Sequence, residues 1–144
     1  APSTALLFSQ MNLPDALREP YEFLSRIKDR AGFFGVVATF HAPDSEAYRL
    51  IERAYAIAWR DHSVRRRHSG EREFAHLFRC TLTLMIRRKV GDPDRVVATL
   101  FHDLSETFRK KWPIERIARE FNESIACYVQ WLTKPVQTRS MTKQ

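Results

Sequence analysis

Glycine, cysteine and long apolar runs are all scarce in this sequence. Four glycines occur in 144 residues, with no Gly/Ser-rich or collagen-like tract, which excludes a linker array and a fibrous chain. The two cysteines, Cys80 and Cys127, make neither a disulfide framework nor a paired-thiol zinc motif. Both read as helix-core thiols of a reducing, cytoplasmic compartment. No run of 18 apolar residues occurs, so no segment reads as a bilayer span. The first ten residues, APSTALLFSQ, are too short and too weakly apolar for a signal peptide. Beginning at Ala1, the chain reads as a trimmed or excised piece.

What is present is ordinary globular material. Hydrophobic residues make up 44% of the chain and charged ones 28%, which excludes wholesale disorder. The length suits one domain, since two halves would each struggle to bury a core. The net charge is +7 and the pI about 9.8. That balance favours anionic partners, namely phosphates, nucleic acid or a membrane surface, without choosing among them.

The punctuation predicts helices joined by short loops and no internal repeat. Residues 15–30 read as one or two helices interrupted or started by Pro20. Residues 31–43, AGFFGVVATFHAP, allow an extended stretch through their glycines and β-branched residues. Asp44 or Ser45 then caps a helix over 46–62, with Leu50, Ile51, Ala54, Tyr55, Ile57 and Ala58 on its apolar face. A basic loop, 63–72, turns at Gly70. A helix over 73–88 buries Phe74, Leu77, Phe78, Thr81, Leu84 and Met85. Gly91 ends it, and Pro93 starts the next helix behind a capping Asp92. That helix runs over 94–109, with Val96, Val97, Leu100, Phe101 and Leu104 on one stripe. Pro113 opens a helix over 114–121, Asn122 breaks it, and a last helix over 123–133 carries Ile125, Ala126, Val129 and Leu132. The tail after Pro135 should fray. The fold class expected is all-α, a single helical bundle.

His102 and Asp103 stand side by side within VVATLFHDLSET. Burying a carboxylate costs several kcal/mol or so unless it is paired or bound to a cation. A divalent metal would satisfy both side chains, and imidazole with carboxylate suits Mn, Fe, Zn or Ni better than Ca. A solvent-facing pair or an internal hydrogen bond is the plainer alternative. His76 lies 26 positions earlier. A helix, a turn and most of a second helix fit that interval, so antiparallel packing can bring His76 opposite His102. Glu106 lies at i+4 from His102 and i+3 from Asp103, on their face, where a carboxylate can orient or deprotonate a water.

The basic loop leads directly into this set. Arg65, Arg66, Arg67, His68 and Ser69 form a candidate phosphate clamp, because the guanidinium fork matches phosphate oxygens. A solvated charge run is the bland reading. A nucleic-acid face is disfavoured by the lack of interleaved exposed aromatics, since Trp59 ends a helix and Phe74 reads as core.

These residues resemble a known family. From His62 the chain reads H-S-V-R-R-R-H-S-G-E-R-E-F-A-H, and later V-A-T-L-F-H-D-L-S-E-T. The RelA/SpoT group of guanosine tetraphosphate hydrolases has a histidine, an Arg-Lys-Ser-Gly-Glu loop, a histidine opening a helix, and an Ala-Ala-Leu-Leu-His-Asp-x-x-Glu-Asp-Thr helix. Arg67, His68, Ser69, Gly70, Glu71 and His76 fall in register without a gap. The stretch from Ile114 to Lys134 is similar to the family's later segment ending in Thr-Lys. The likeness covers roughly residues 47–134.

The resemblance implies an all-helical HD-type phosphohydrolase with manganese as cofactor. Its activity would be removal of the 3′-pyrophosphate from guanosine tetraphosphate or pentaphosphate. By position it implies His76, His102 and Asp103 as metal ligands and Glu106 as the acid that handles water. Arg65, Arg67, His68 and Ser69 would contact the substrate. The divisions expected are an N-terminal segment, 1–43, a core, 44–134, and a tail, 135–144.

Departures from the family are specific. Thr107 replaces the second acid, Arg72 a proline, Glu73 a tyrosine, and Leu77 follows His76 where proline is frequent. The family's fourth ligand is an aspartate on a later helix, and this sequence has no Asp after Asp103. Either the chain is a fragment, or the site is incomplete, or another group fills the position. The alternative to an enzyme is a degenerate module that binds a nucleotide or regulates an attached or partner domain.

Overall fold

The computed structural model describes residues 24–62, 65–66, 69–70 and 72–133. Among these residues the chain forms an all-α bundle. Its helices are α1 (Arg30–Ala38), α2 (Glu46–His62), α3 (Glu73–Arg87), α4 (Pro93–Phe101), α5 (Leu104–Thr107), α6 (Ile114–Glu120) and α7 (Glu123–Leu132). The expectations for residues 15–23 and for the tail from 134 lie outside the described residues.

Helix α4 is the centre of the bundle. It packs against α2, α3 and α7, and Val96, Val97, Leu100 and Phe101 are fully buried. Each such side chain is worth about 1.5–3 kcal/mol of transfer free energy. Pro93 starts the helix at a position that needs no amide donor. Asp92 precedes it without a side-chain capping bond, contrary to expectation.

The neighbours follow the apolar spacing. In α2, Ile51, Ala54, Tyr55 and Ala58 face inward, and Ser45 rather than Asp44 caps it, Oγ accepting from the Tyr48 amide at 3.2 Å. In α3, Phe74, Leu77, Phe78, Thr81, Leu82, Met85 and Ile86 are buried, while Leu84 is only partly so. In α7, Asn122 Oδ1 accepts from the Ile125 amide at 2.7 Å. Leu132, expected in the core, is exposed.

Three further expectations are corrected. Residues 30–38 form α1, not an extended stretch. Asp29 caps it by accepting from Gly32 N at 2.7 Å, and burial of Phe33, Phe34, Val36 and Val37 outweighs their β-propensity. Phe33 and Phe34 pack edge-on or tilted against Tyr55, with Phe78 beyond. The cysteines are not core thiols, since Cys80 is half-buried and Cys127 exposed. The helix expected over 94–109 breaks after Phe101, and His102–Asp103 form a turn before α5. There the His102 ring bonds back to the Thr99 carbonyl. The His102 carbonyl accepts instead from the Thr133 hydroxyl at the end of α7, 3.3 Å away.

The α3–α4 connection also differs from its expected form. Lys89, not Gly91, takes the left-handed conformation, with φ 58°. Gly91 is required for a different reason: a Cβ there would sit 2.1 Å from the Phe40 ring, and its carbonyl bonds His41 Nε2. Gly91→Ala should therefore destabilise the fold by about 1–3 kcal/mol, read as a lower denaturant midpoint with an unchanged slope.

A buried ion pair ties the end of α2 to the loop before α6. The Asp61 side chain is 4% exposed. It accepts from Lys111 Nζ at 2.8 Å, Trp112 Nε1 at 2.9 Å and Arg60 Nε at 3.2 Å. Trp112 is itself buried under the Arg116 guanidinium. Burial pushes the Asp61 carboxyl up, but the three donors outweigh it and hold the group below its ordinary value. A depressed folded-state pKa stabilises fully above the unfolded value of about 3.9 and is lost as pH falls through the folded value. Asp61→Asn should cost about 3 kcal/mol at neutral pH. The gap between variant and wild type should close as pH falls below about 4, measured by urea unfolding across pH.

Candidate metal centre

His76, His102 and Asp103 come together at the C-terminal end of α4. Each offers one ligand atom, and the three atoms lie within 4.8 Å of one another. His76 is in the first turn of α3, packed on α4, and its ring meets that of His102 edge-on with centroids 5.7 Å apart. The helix break puts His102 and Asp103 in a tight turn, so adjacent residues converge rather than diverge by about 100° as in a continuous helix.

The local bonding leaves donor atoms oriented for a cation. A carbonyl can only accept, so the 2.6 Å contact from His102 Nδ1 to Thr99 O puts the hydrogen on Nδ1. The other ring nitrogen, Nε2, faces Asp103 Oδ1 at 3.4 Å. A histidine whose second nitrogen donates to a backbone carbonyl is the usual arrangement behind a metal-binding imidazole. A separation of about 3.4 Å is also what two ligands at about 2.1 Å from one tetrahedral ion would have. The residues present therefore fit a divalent ion. All three are half-buried, reachable from solvent yet backed by the core.

The remaining expected residues are spread around this point. Glu106 is half-buried in α5, one turn beyond His102, and has bonding partners of its own. Ser69 is exposed and bonded. Arg65 donates to Glu73 Oε2 at 3.2 Å and lies over the Phe108 ring at 5.3 Å. Arg67 and His68 lie outside the described residues. The loop is closed at its base, where Glu73 N donates to Arg65 O at 2.9 Å, Arg66 and Arg72 form an antiparallel bridge, and Arg66 Nη1 donates to Gly70 O.

Sequence reasoning passed over three residues near here. His62 is fully buried, with Nδ1–H donating to Glu73 Oε2 at 2.8 Å and no bond to Nε2. Glu73 thus gathers His62 and Arg65 and anchors the start of α3, which carries His76. Cys80 lies one turn beyond His76, with Sγ 3.6 Å from His76 Nε2 and 3.8 Å from Nδ1. The i,i+4 spacing from His76 was the available signal. A cleft of about 770 Å³ between α1, α2 and α3 is lined by Tyr55, Trp59, Phe74 and Phe78 but by none of the three clustered residues.

No family model matches the chain, and no solved structure matches it. Over 91 residues, 63% of the chain, it is 32% identical to a curated protein described as GTP pyrophosphokinase, from Streptomyces coelicolor. The chain spans about a tenth of that relative's length. No helix among the described residues is long and apolar enough to cross a membrane.

Asp103→Ala should lower affinity for divalent ions by about tenfold or more, since even outer-shell losses cost about 10- to 100-fold. Far-UV circular dichroism should be unchanged, because Asp103 lies in a turn. Calorimetric titration with manganese and zinc reads the first, and equal affinity in variant and wild type would remove Asp103 from the site.

Proposed function

We propose that this chain is a metal-dependent phosphohydrolase of the HD type, acting on guanosine tetraphosphate or pentaphosphate. The observation that carries the reading is the convergence of His76, at the start of α3, with His102 and Asp103 in the turn after α4. Likeness to a protein described as a GTP pyrophosphokinase supports a phosphorylated guanosine nucleotide as substrate class. The family resemblance implies manganese, and an imidazole–carboxylate set accepts it.

His76, His102 and Asp103 would hold the ion, which when bound supplies Lewis acidity toward phosphate oxygens and lowers the pKa of water. The chain's own residues do the rest. Glu106 accepts a proton from the attacking water as the oxygen–phosphorus bond forms. The bond from phosphorus to the ribose 3′-oxygen breaks, pyrophosphate leaves, and the 3′-oxygen takes a proton from solvent. Arg65, Arg67, His68 and Ser69 bind the substrate's phosphates and orient it, positive charge offsetting the charge of the leaving group. Thr107, in place of the family's second acid, leaves Glu106 as the one carboxylate at that step and lowers the rate.

A second reading is favoured by Thr107. The domain would bind the nucleotide without turning it over and would regulate an attached or partner domain. The two readings separate on product formation by a chain that retains metal and nucleotide.

Glu106→Gln keeps the shape and removes the base. Turnover should fall by about 10²-fold or more while metal content is preserved, assayed as pyrophosphate release with manganese supplied. Metal loss in the variant would make Glu106 a ligand instead, and equal turnover would remove it from the mechanism.

A further inference from the structure

We propose that the cleft between α1, α2 and α3 is a second ligand site, and that it takes a flat aromatic anion. Its volume is about 770 Å³, within the range of about 300–1,000 Å³ of pockets that hold small organic molecules. It is separate from the metal centre: Ala75, Phe78 and Arg79 of α3 line it, and none of the three clustered residues does. Tyr55, Phe74 and Phe78 form its buried wall, each at most 9% exposed. They hold one another, Phe74 meeting Tyr55 edge-on with centroids 5.1 Å apart and Phe78 at 6.2 Å. Trp59 lies one turn beyond Tyr55 on α2 and lines the same cleft, yet it is 55% exposed. Among the described residues no ring, cation or hydrogen-bond acceptor pairs with its indole. Such an indole offers a flat apolar face for stacking and one N–H donor.

The charge of the lining sets the sign of the ligand. Lys28, Arg30, Arg72 and Arg79 line the cleft against one acid, Asp29. Asp29 is engaged in capping α1 through the Gly32 amide. Arg30 is paired with Glu52 at 3.1 Å and lies over the Phe34 ring. Lys28 and Arg72 are exposed, and among the described residues no acid pairs with either. A carboxylate or a phosphate group satisfies a guanidinium fork and an ammonium together, whereas a neutral or cationic ligand leaves both charges unmatched. A single exposed tryptophan is ordinary on a protein surface. Here three unpartnered groups, one aromatic and two cationic, line one cavity, and a ring bearing an acid group is the chemistry that uses all three.

The probes are 1-naphthoate and 1-naphthyl phosphate, with neutral 1-naphthalenemethanol and inorganic phosphate as comparisons. Each is titrated calorimetrically into the 144-residue chain with EDTA present, which keeps metal ions out of the measurement. One equivalent of each naphthyl anion should bind, and the alcohol and inorganic phosphate should bind about tenfold or more weakly. The tighter of the two anions identifies the acid group as carboxylate or phosphate. Trp59→Ala should weaken both anions by about tenfold with an unchanged far-UV circular dichroism spectrum, since the indole is largely outside the core. Lys28→Gln with Arg72→Gln should weaken the anions by about tenfold and leave the alcohol unaffected. Equal affinity in Trp59→Ala, or inorganic phosphate bound as tightly as naphthyl phosphate, would overturn the aromatic requirement and with it the site. The alcohol bound as tightly as the anions would overturn the charge requirement, and no binding of either anion would overturn the proposal outright.

Discussion

Burial of one short helix organises this protein. α4 is nine residues long and closes its inward face completely with Val96, Val97, Leu100 and Phe101. An isolated helix of that length is unstable in water, so its conformation depends on the α2, α3 and α7 surfaces around it. α2 and α3 also meet each other directly, through Tyr55 and Phe74. The same packing sets the chemistry. α3 brings His76, α7 brings Thr133, and α4 ends where His102 and Asp103 begin. His76, His102 and Asp103, from two distant parts of the chain, meet because α3 and α4 pack against each other.

Two acids near the end of α2 handle charge differently. Asp61 is buried and collects Lys111, Arg60 and the Trp112 indole, so its cost of desolvation is met by three donors and it fastens the α5–α6 loop to α2. Glu73 is partly exposed and collects His62 and Arg65, so it shapes the loop rather than the core. Both acids are placed among cations.

The sequence around the cluster departs from the pattern it resembles one position at a time. Glu73 stands where that pattern has a tyrosine, and here it accepts from His62 and Arg65 at the base of the loop. Thr107 stands where the pattern has an acid. Each difference is local, and none falls on the apolar stripes that build the bundle.

Periodicity alone was enough for the helical class and for most boundaries. The stripes Ile51–Ala54–Tyr55–Ala58 and Val96–Val97–Leu100–Phe101 repeat at the spacing of a helix, and that spacing is a local property of the chain. His76, His102, Asp103 and Glu106 stood out as candidates because polar residues with ion-binding side chains lay beside an apolar run, and the first three are the ones that come together. Three matters were decided only by tertiary structure. Residues 30–38 became helix because the Phe33–Phe34 pair found Tyr55 and Phe78 to pack against. The helix broke at His102 because the Thr99 carbonyl and Thr133, 31 residues later, took its bonds. Cys80 stayed off the core because Leu77, Phe78, Thr81 and Leu82 take the inward face of α3 against its neighbours. In each case the deciding partner lies on another element or depends on its packing, and pattern along the chain carries no information about distance across it.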